Sequence, residues 1–300
     1  MIIRAYPEEP AKMQGNTLVH LKASCDVTAR HVSPLSIRST MQGVEKHFTG
    51  NASYSVTPDR FLIINSGSEC ESKIECETES LTVFFDRGFA ERALASFITP
   101  GERMLNNSFV HPAQPVTFFE KTYPHNHTIS PALMKLRFAS RIDFNDSEFI
   151  NENCYLLLEG LMKLHRELYA EIARLPPVKL STKTELYRRI CRAREFIDDS
   201  YSQRIPLGDI AREACLSQFH FLRVFKIIFG QTPHQYVLRK RMNKALDLLR
   251  SSEMPVTQIC YEVGLESPAS FSRMFKIRYG ISPDSFREQH NSFKYTFRTL

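Results

Sequence analysis

The chain has 300 residues, 42% of them apolar, and a formal charge of +6, which allows two ordinary packed domains. No stretch approaches the ~20 apolar residues of a membrane span, and the opening MIIRAYPEEPAK lacks the apolar core of a secretory signal. Seven scattered cysteines without a Cys-x-x-Cys pair fit free thiols in a reducing cytoplasm.

Residues 1–130 read as mostly β. Arg60–Asn65, Ser72–Cys76 and Ser80–Phe85 are strand candidates, with Asn65-Ser66-Gly67-Ser68 as turn chemistry between the first two. Val116–Glu120 is a further strand candidate, and Asp86–Phe97 reads as a short helix. Glu69, Glu71, Glu75, Glu77 and Glu79 suggest one wet face of a strand or hairpin. Cys70 and Cys76 flank this string without further metal ligands nearby.

After Ser130-Pro131 the pattern turns helical, over Pro131–Arg141 and then Ser147–Leu175. In the second segment Leu157, Leu161, Leu164 and Leu168 recur at i, i+4, i+7 and i+11. That row is either a dimer seam or a face packed on the chain's own sheet. Pro176-Pro177 ends the helix and opens a linker to about Lys183. A first domain therefore spans 1–178, β-rich over 1–130 and helical over 131–175.

Charge is uneven along the chain. Residues 179–300 hold 21 Lys+Arg against 12 Asp+Glu, and residues 1–178 hold 18 against 21. A basic module joined to a slightly acidic one suggests a polyanionic partner.

The basic part contains an internal repeat. Phe221–Tyr236 (FLRVFKIIFGQTPHQY) and Phe271–Phe286 (FSRMFKIRYGISPDSF) share seven of sixteen positions without a gap. Thr184–Ser200 reads as a leading helix. Leu207–Ala214 is a short helix, Cys215-Leu216-Ser217 a turn, and Ser217 the N-cap of a second helix. That helix carries Phe221, Val224, Phe225 and Ile228 at i, i+3, i+4 and i+7, and Gly230 stops it. Thr232-Pro233 with Gln235 makes a capping box for the next helix. The second copy repeats the plan. Val256–Val263 is the short helix, Gly264-Leu265-Glu266 the turn, and Ser267-Pro268 the cap. Phe271, Met274, Phe275 and Tyr279 form the core stripe, Gly280 the stop, and Ser282-Pro283 the final start. Gln235–Ser251 joins the copies as a helical rod of about 25 Å.

Short helix, tight turn and second helix make two helix-turn-helix units, 207–229 and 256–279, inside a domain spanning 184–290. Duplicated in this form, the text resembles the DNA-binding domain of the AraC/XylS family of bacterial transcription regulators. The fold class is therefore α+β. A mainly β N-terminal domain with helices precedes an all-α domain of seven helices. The resemblance implies a cupin-like barrel at the N-terminus that binds a small-molecule effector or mediates homodimerisation. It also implies double-stranded DNA and RNA polymerase as partners, and activation of transcription as the usual outcome. Control by a protein partner or by abundance is equally compatible with the sequence. A metal-binding cupin needs His-x-His followed shortly by Glu. His125-Asn126-His127 has no such Glu, so it reads as surface-loop histidines, with no metal and no cofactor. No cysteine has a recognisable base partner and no glycine-rich phosphate loop is present, so the chain is not read as an enzyme.

In this family the second helix of each unit enters the major groove. Opposite the first core stripe lie Gln218, Phe219, Leu222 and Arg223. Opposite the second lie Pro268, Ala269, Ser272 and Arg273, with Ser270 near the edge. Arg223 and Arg273 correspond in the repeat. Each either donates twice to a guanine or pairs with a phosphate or a carboxylate. Phe219 and Leu222 suit thymine methyl groups or face a neighbouring helix. Lys226 and Lys276 are assigned to phosphate, as are the helix starts at Ser217, Thr232, Ser267 and Ser282. The run Arg239-Lys240-Arg241 is either a backbone contact or a solvated face.

Overall fold

A computed structural model describes residues 1–24, 27–50, 52–98, 116–176 and 179–296. Cys25 and the Pro177–Val178 part of the expected linker lie outside the described residues. The chain divides into two compact units, Met1–Lys183 and Thr184–Leu300.

Unit 1 is built on two sheets. The larger has the order β1 (Ile2–Ile3), β2 (Thr17–Ala23), β9 (Thr78–Phe84), β4 (Ser36–Gln42), β7 (Arg60–Ile64) and β10 (Thr122–Pro124). The smaller has the order β3 (Val27–Val32), β8 (Glu69–Ile74), β5 (Glu45–Thr49) and β6 (Ala52–Val56). Alternation sorts the larger sheet's side chains by face. Leu18, Ile37, Phe61, Ile63, Leu81 and Val83 form one core with α1 (Phe89–Ile98), α2 (Ser130–Arg141) and α3 (Ser147–Ala173). Leu62 and Ile64 point the other way and meet Tyr54, Val56 and Cys70 of the smaller sheet. Strand β9 is therefore buried on both faces along its whole length, which explains its unbroken SLTVFF text.

Several expectations for this unit change. Val116–Glu120 forms no strand. Phe118 and Phe119 are both buried, but their backbone pairs with no strand. Asn65 replaces a strand partner there. Its Oδ1 accepts from the Phe118 backbone N–H at 2.7 Å, and its Nδ2 donates to the Phe118 carbonyl at 2.9 Å. The sheet edge is supplied by β10, paired with β7. The glutamate string is not uniformly wet. Glu79 is buried and accepts from both Arg141 Nε at 3.0 Å and Arg141 NH2 at 3.1 Å, with His20 Nε2 at 2.9 Å. His125 is half-buried against the Phe61 ring, 5.7 Å between centroids, and contacts Ser130 and Arg137. The leucine row resolves as well. Leu157 and Leu161 are fully buried in unit 1's own core, which leaves them no part in a dimer seam.

Unit 2 holds all but the first turn of α4 (Leu180–Ser200), with α5 (Leu207–Glu213), α6 (Gln218–Phe229), α7 (Pro233–Ser251), α8 (Val256–Glu262), α9 (Pro268–Tyr279) and α10 (Pro283–Thr296). Helix α4 starts at Leu180, inside the expected linker. Each helix-turn-helix has its own core. Phe221, Val224 and Phe225 pack with α4, α5 and Tyr236. Phe271 and Phe275 pack with α8 and with Met242, Ala245 and Leu249. The first turn of α7 closes one core and its later turns close the other. All four phenylalanines are fully buried, each contributing about 1.5–3 kcal/mol of apolar burial.

The turn before α9 depends on a missing side chain. Gly264 has φ +84, and a Cβ there would stand 2.0 Å from the Ser202 carbonyl oxygen. Gly280 has the same φ with open space around it. Gly264→Ala is expected to destabilise the protein by more than about 2 kcal/mol, and Gly280→Ala by about 1–2 kcal/mol. Urea midpoints of the two variants check the order. Unit 1 carries a pH dependence. Burial, reinforced by Arg38, lowers the pKa of His31 from 6.5 to about 4, and burial also holds His47 well below its ordinary value. Both rings stay neutral when folded and take a proton more readily when unfolded. Their effect is absent above about pH 6.5, and stability falls as pH drops from there towards 4. A urea midpoint lower at pH 5 than at pH 7.5, with a smaller drop in His31→Gln, is the expected result.

Candidate nucleic-acid interface

The local chemistry of unit 2 fixes where each reading helix starts and stops. Cys215 takes a left-handed φ of 51° in the first turn. Ser217 then caps α6, its oxygen accepting the His220 backbone N–H at 3.4 Å. Ser267 caps α9 by accepting Ser270 N–H at 3.3 Å, with Pro268 in the first turn. Gly230 and Gly280 end the two helices in the left-handed conformation. Thr232 and Gln235 complete the capping box of α7. Ser282 Oγ accepts Ser285 N–H at 3.1 Å.

These caps separate the four hydroxyls that sequence assigns to phosphate. The Thr232 hydroxyl also donates to Gln235 at 3.2 Å, and Ser282 donates to Ser285 Oγ at 2.8 Å. Both protons are therefore used within the protein. Ser217 and Ser267 accept through their oxygens, and no acceptor for their own protons is found among the described residues.

Burial of the phenylalanine stripe sets the outward face. On α6 it carries Gln218, Phe219 (80% exposed), Arg223 and Lys226. On α9 it carries Ala269, Ser270, Arg273 and Lys276, with Pro268 and Ser272 half-buried. Among the described residues, Arg223, Arg273, Lys226 and Lys276 have no ion pair or side-chain hydrogen bond. The salt bridge to a carboxylate that sequence left open for the two arginines is absent there. Leu222 is half-buried. With Ser270, Thr232 and Ser267 it lines a cleft of about 840 Å³ walled by Leu238 and Met274. Leu222 and Ser270 thus face the space between the two helix-turn-helix units.

The basic run of α7 is neither a solvated face nor a free backbone contact. Arg241 donates from Nε to the Tyr201 carbonyl at 2.6 Å and from NH2 to the Gln203 carbonyl at 2.7 Å. Lys240 pairs with Asp198 at 3.2 Å, and the same carboxylate accepts from Tyr236 OH at 3.0 Å. Arg239 lies 5.0 Å over the Tyr236 ring. Arg241 and Lys240 tie α7 to the end of α4, while the Arg239 contact stays within α7. Sequence reasoning also passed over Ile227 and Ile277. They are identical in the repeat, yet 49% and 76% exposed one residue past the lysines. An apolar identity outside the core stripe was the available signal.

The model of a helix-turn-helix domain family matches residues 210–289. The probable transcriptional regulator LumQ of Photobacterium leiognathi is 36% identical over 92 residues, 31% of this chain and 37% of that protein. The transcriptional activator AarP of Providencia stuartii is 32% identical over 92 residues, 31% of this chain and 68% of AarP. Among solved structures, the C-terminal domain of the two-component response regulator yesN from Fusobacterium nucleatum is 32% identical. The match covers 32% of this chain and 93% of that domain, with a TM-score of 0.31. This chain spans well under two thirds of LumQ's length.

The two groups of cations separate in a stability measurement. Arg241→Ala removes two charge-assisted bonds and is expected to cost about 1–3 kcal/mol. Arg223→Ala is expected to stay within about 0.5 kcal/mol of the parent. Urea unfolding of both variants distinguishes them.

Proposed function

This chain belongs to the AraC/XylS family of transcription regulators, and from that premise we propose that α6 and α9 read one asymmetric operator in successive major grooves. The observation that carries this reading is the pair Arg223 and Arg273. They occupy the same position on two capped helices, exposed and without an ion pair or side-chain hydrogen bond among the described residues. A guanidinium so placed can donate to both O6 and N7 of a guanine, worth about 1–3 kcal/mol of discrimination. Phe219, Ile227 and Ile277 offer apolar contact to thymine methyl groups or sugars. Lys226 and Lys276, the Ser217 and Ser267 hydroxyls and the free N–H groups of the first helical turns bind phosphate. Gln218, Pro268, Ala269 and Ser272 complete the reading faces. Small side chains on α9 make its half-site the more dependent on DNA shape. Leu222, Thr232 and Ser270 lie along the cleft facing the backbone between the two grooves, and Ser282 contributes only its helix start.

Unit 1 acts as the sensor that gates DNA binding through a small effector. The regulator works as a homodimer and activates transcription by contact with RNA polymerase. AarP is named an activator, which supports that sign.

Operator fragments selected from a random DNA library supply the test. Arg223→Ala and Arg273→Ala are each expected to weaken operator binding about 5- to 150-fold, at different base positions, while urea midpoints hold. Lys226→Ala should weaken all sequences alike and lower the salt slope by about one. Affinity that is insensitive to salt, or arginine variants that bind the selected operator as tightly as the parent, would overturn the reading.

A further inference from the structure

Unit 1 contains a buried polar compartment whose hydrogen bonds do not close. Between the two sheets, one region is apolar, made by Tyr54, Val56, Leu62, Ile64 and Cys70. The neighbouring region holds Arg38 of β4, His31 of β3, Glu45 and His47 of β5, and Tyr6 from the irregular segment after β1. Arg38 has no exposed surface. Its NH2 lies 2.9 Å from His31 Nε2 and 3.1 Å from Ser33 Oγ, and its NH1 lies 3.3 Å from Thr82 Oγ1. Its Nε has no partner among the described residues. No carboxylate among the described residues comes within 4 Å of this guanidinium. A permanent cation is thus held away from water without a contacting counter-charge, the arrangement that burial penalises most.

The donor logic defines what is missing. A guanidinium only donates, so His31 Nε2 must accept from Arg38. The proton of the neutral ring is then on Nδ1, and Nδ1 is also buried without a partner among the described residues. His47 Nδ1 meets Ser72 Oγ at 2.9 Å, while its Nε2 has no hydrogen bond among the described residues and lies 3.7 Å from Glu45 Oε1. At least two buried N–H groups, Arg38 Nε and His31 Nδ1, lack an acceptor among the described residues. Buried polar side chains in native proteins are paired in the large majority of cases, so orphans clustered in one compartment call for an acceptor.

Tyr6 occupies the approach. Its ring stacks on His31 with 6.0 Å between centroids and lies 5.9 Å from the Arg38 guanidinium carbon, and its hydroxyl donates to Glu45. Because Tyr6 belongs to no strand or helix and is half-exposed, it can leave without breaking a ladder.

We propose that this compartment binds a small organic monocarboxylate, whose oxygens accept from Arg38 Nε and His31 Nδ1 and whose carbon skeleton takes the place of the Tyr6 ring. Water can accept these bonds but brings no charge to Arg38. A phosphate dianion would be under-neutralised by one guanidinium and two neutral imidazoles. Burial pushes the Glu45 carboxyl towards its neutral form, which limits its repulsion of the guest. The inference rests on reading unit 1 as the sensor and names the class of its effector.

Thermal unfolding of the full chain in sodium acetate and sodium benzoate, against equal sodium chloride and against benzyl alcohol, tests it. Benzoate and acetate are expected to raise Tm with a saturating dose dependence, and benzyl alcohol is not. Tyr6→Ala removes the resident occupant and should bind benzoate about 10-fold more tightly. Arg38→Met should lose the response while its Tm in chloride stays at or above the parent value. Equal shifts in the parent and Arg38→Met overturn the site, as does the absence of any carboxylate-specific shift in both the parent and Tyr6→Ala. If Arg38→Met does not fold, Tyr6→Ala decides alone, and benzoate binding no tighter than in the parent sinks the proposal. Benzoate that binds through Arg38 yet leaves operator affinity unchanged supports the site and counts against the sensor reading only.

Discussion

The rotation of two helices about their own axes governs everything unit 2 can do. Phe221 and Phe225 on α6, and Phe271 and Phe275 on α9, are spaced four apart and wholly withdrawn from water. Two large rings one turn apart leave a helix a single rotation that buries both. Once that rotation is set, the residues between them have no choice of side. Arg223 and Arg273, each two past the first ring, emerge into solvent. The serine caps and left-handed glycines then fix how far each helix runs. An external chemical face is thus specified by internal apolar contacts that never touch a ligand.

Keeping two such helices in register requires a shared support, and α7 supplies it. One end of α7 packs Tyr236 into the first core, and Met242, Ala245 and Leu249 serve the second. Arg241 and Lys240 bind carbonyls and a carboxylate at the end of α4, and Arg239 lies over the Tyr236 ring within α7 itself. Positive charge here is structural, whereas Arg223, Lys226, Arg273 and Lys276 have no ion pair or side-chain hydrogen bond among the described residues. Net charge alone would have merged the two uses. Only the partner of each side chain separates them.

Unit 1 follows the opposite logic. Its larger sheet spends its apolar alternation on helices α2 and α3. The reverse face has to be shared between a small apolar cluster and a set of buried polar groups. A core designed only for stability would fill that space with hydrocarbon. Arginine and histidine in the same place sacrifice stability and gain a compartment that recognises charge.

The text of the chain determined the elements whose signals are local. The internal repeat, the caps at Ser217, Thr232, Ser267 and Ser282, the glycine stops and the phenylalanine stripes all act over one or two helical turns, so they are legible without a fold. The same holds for Arg60–Ile64 and the core of β9, whose apolar runs are long enough to stand alone. What tertiary structure decided were matters of partnership across long sequence separations. Val116–Glu120 looked like a strand, but Asn65 intercepts its backbone. Glu79 belonged to an exposed string until Arg141 and His20 closed over it. The leucine row of α3 served a dimer and a core equally well until the larger sheet was there to receive it. The compartment around Arg38 left no trace in the sequence, because its members come from separate strands and a terminal segment. Periodicity records which way a side chain points, and only packing determines what it meets.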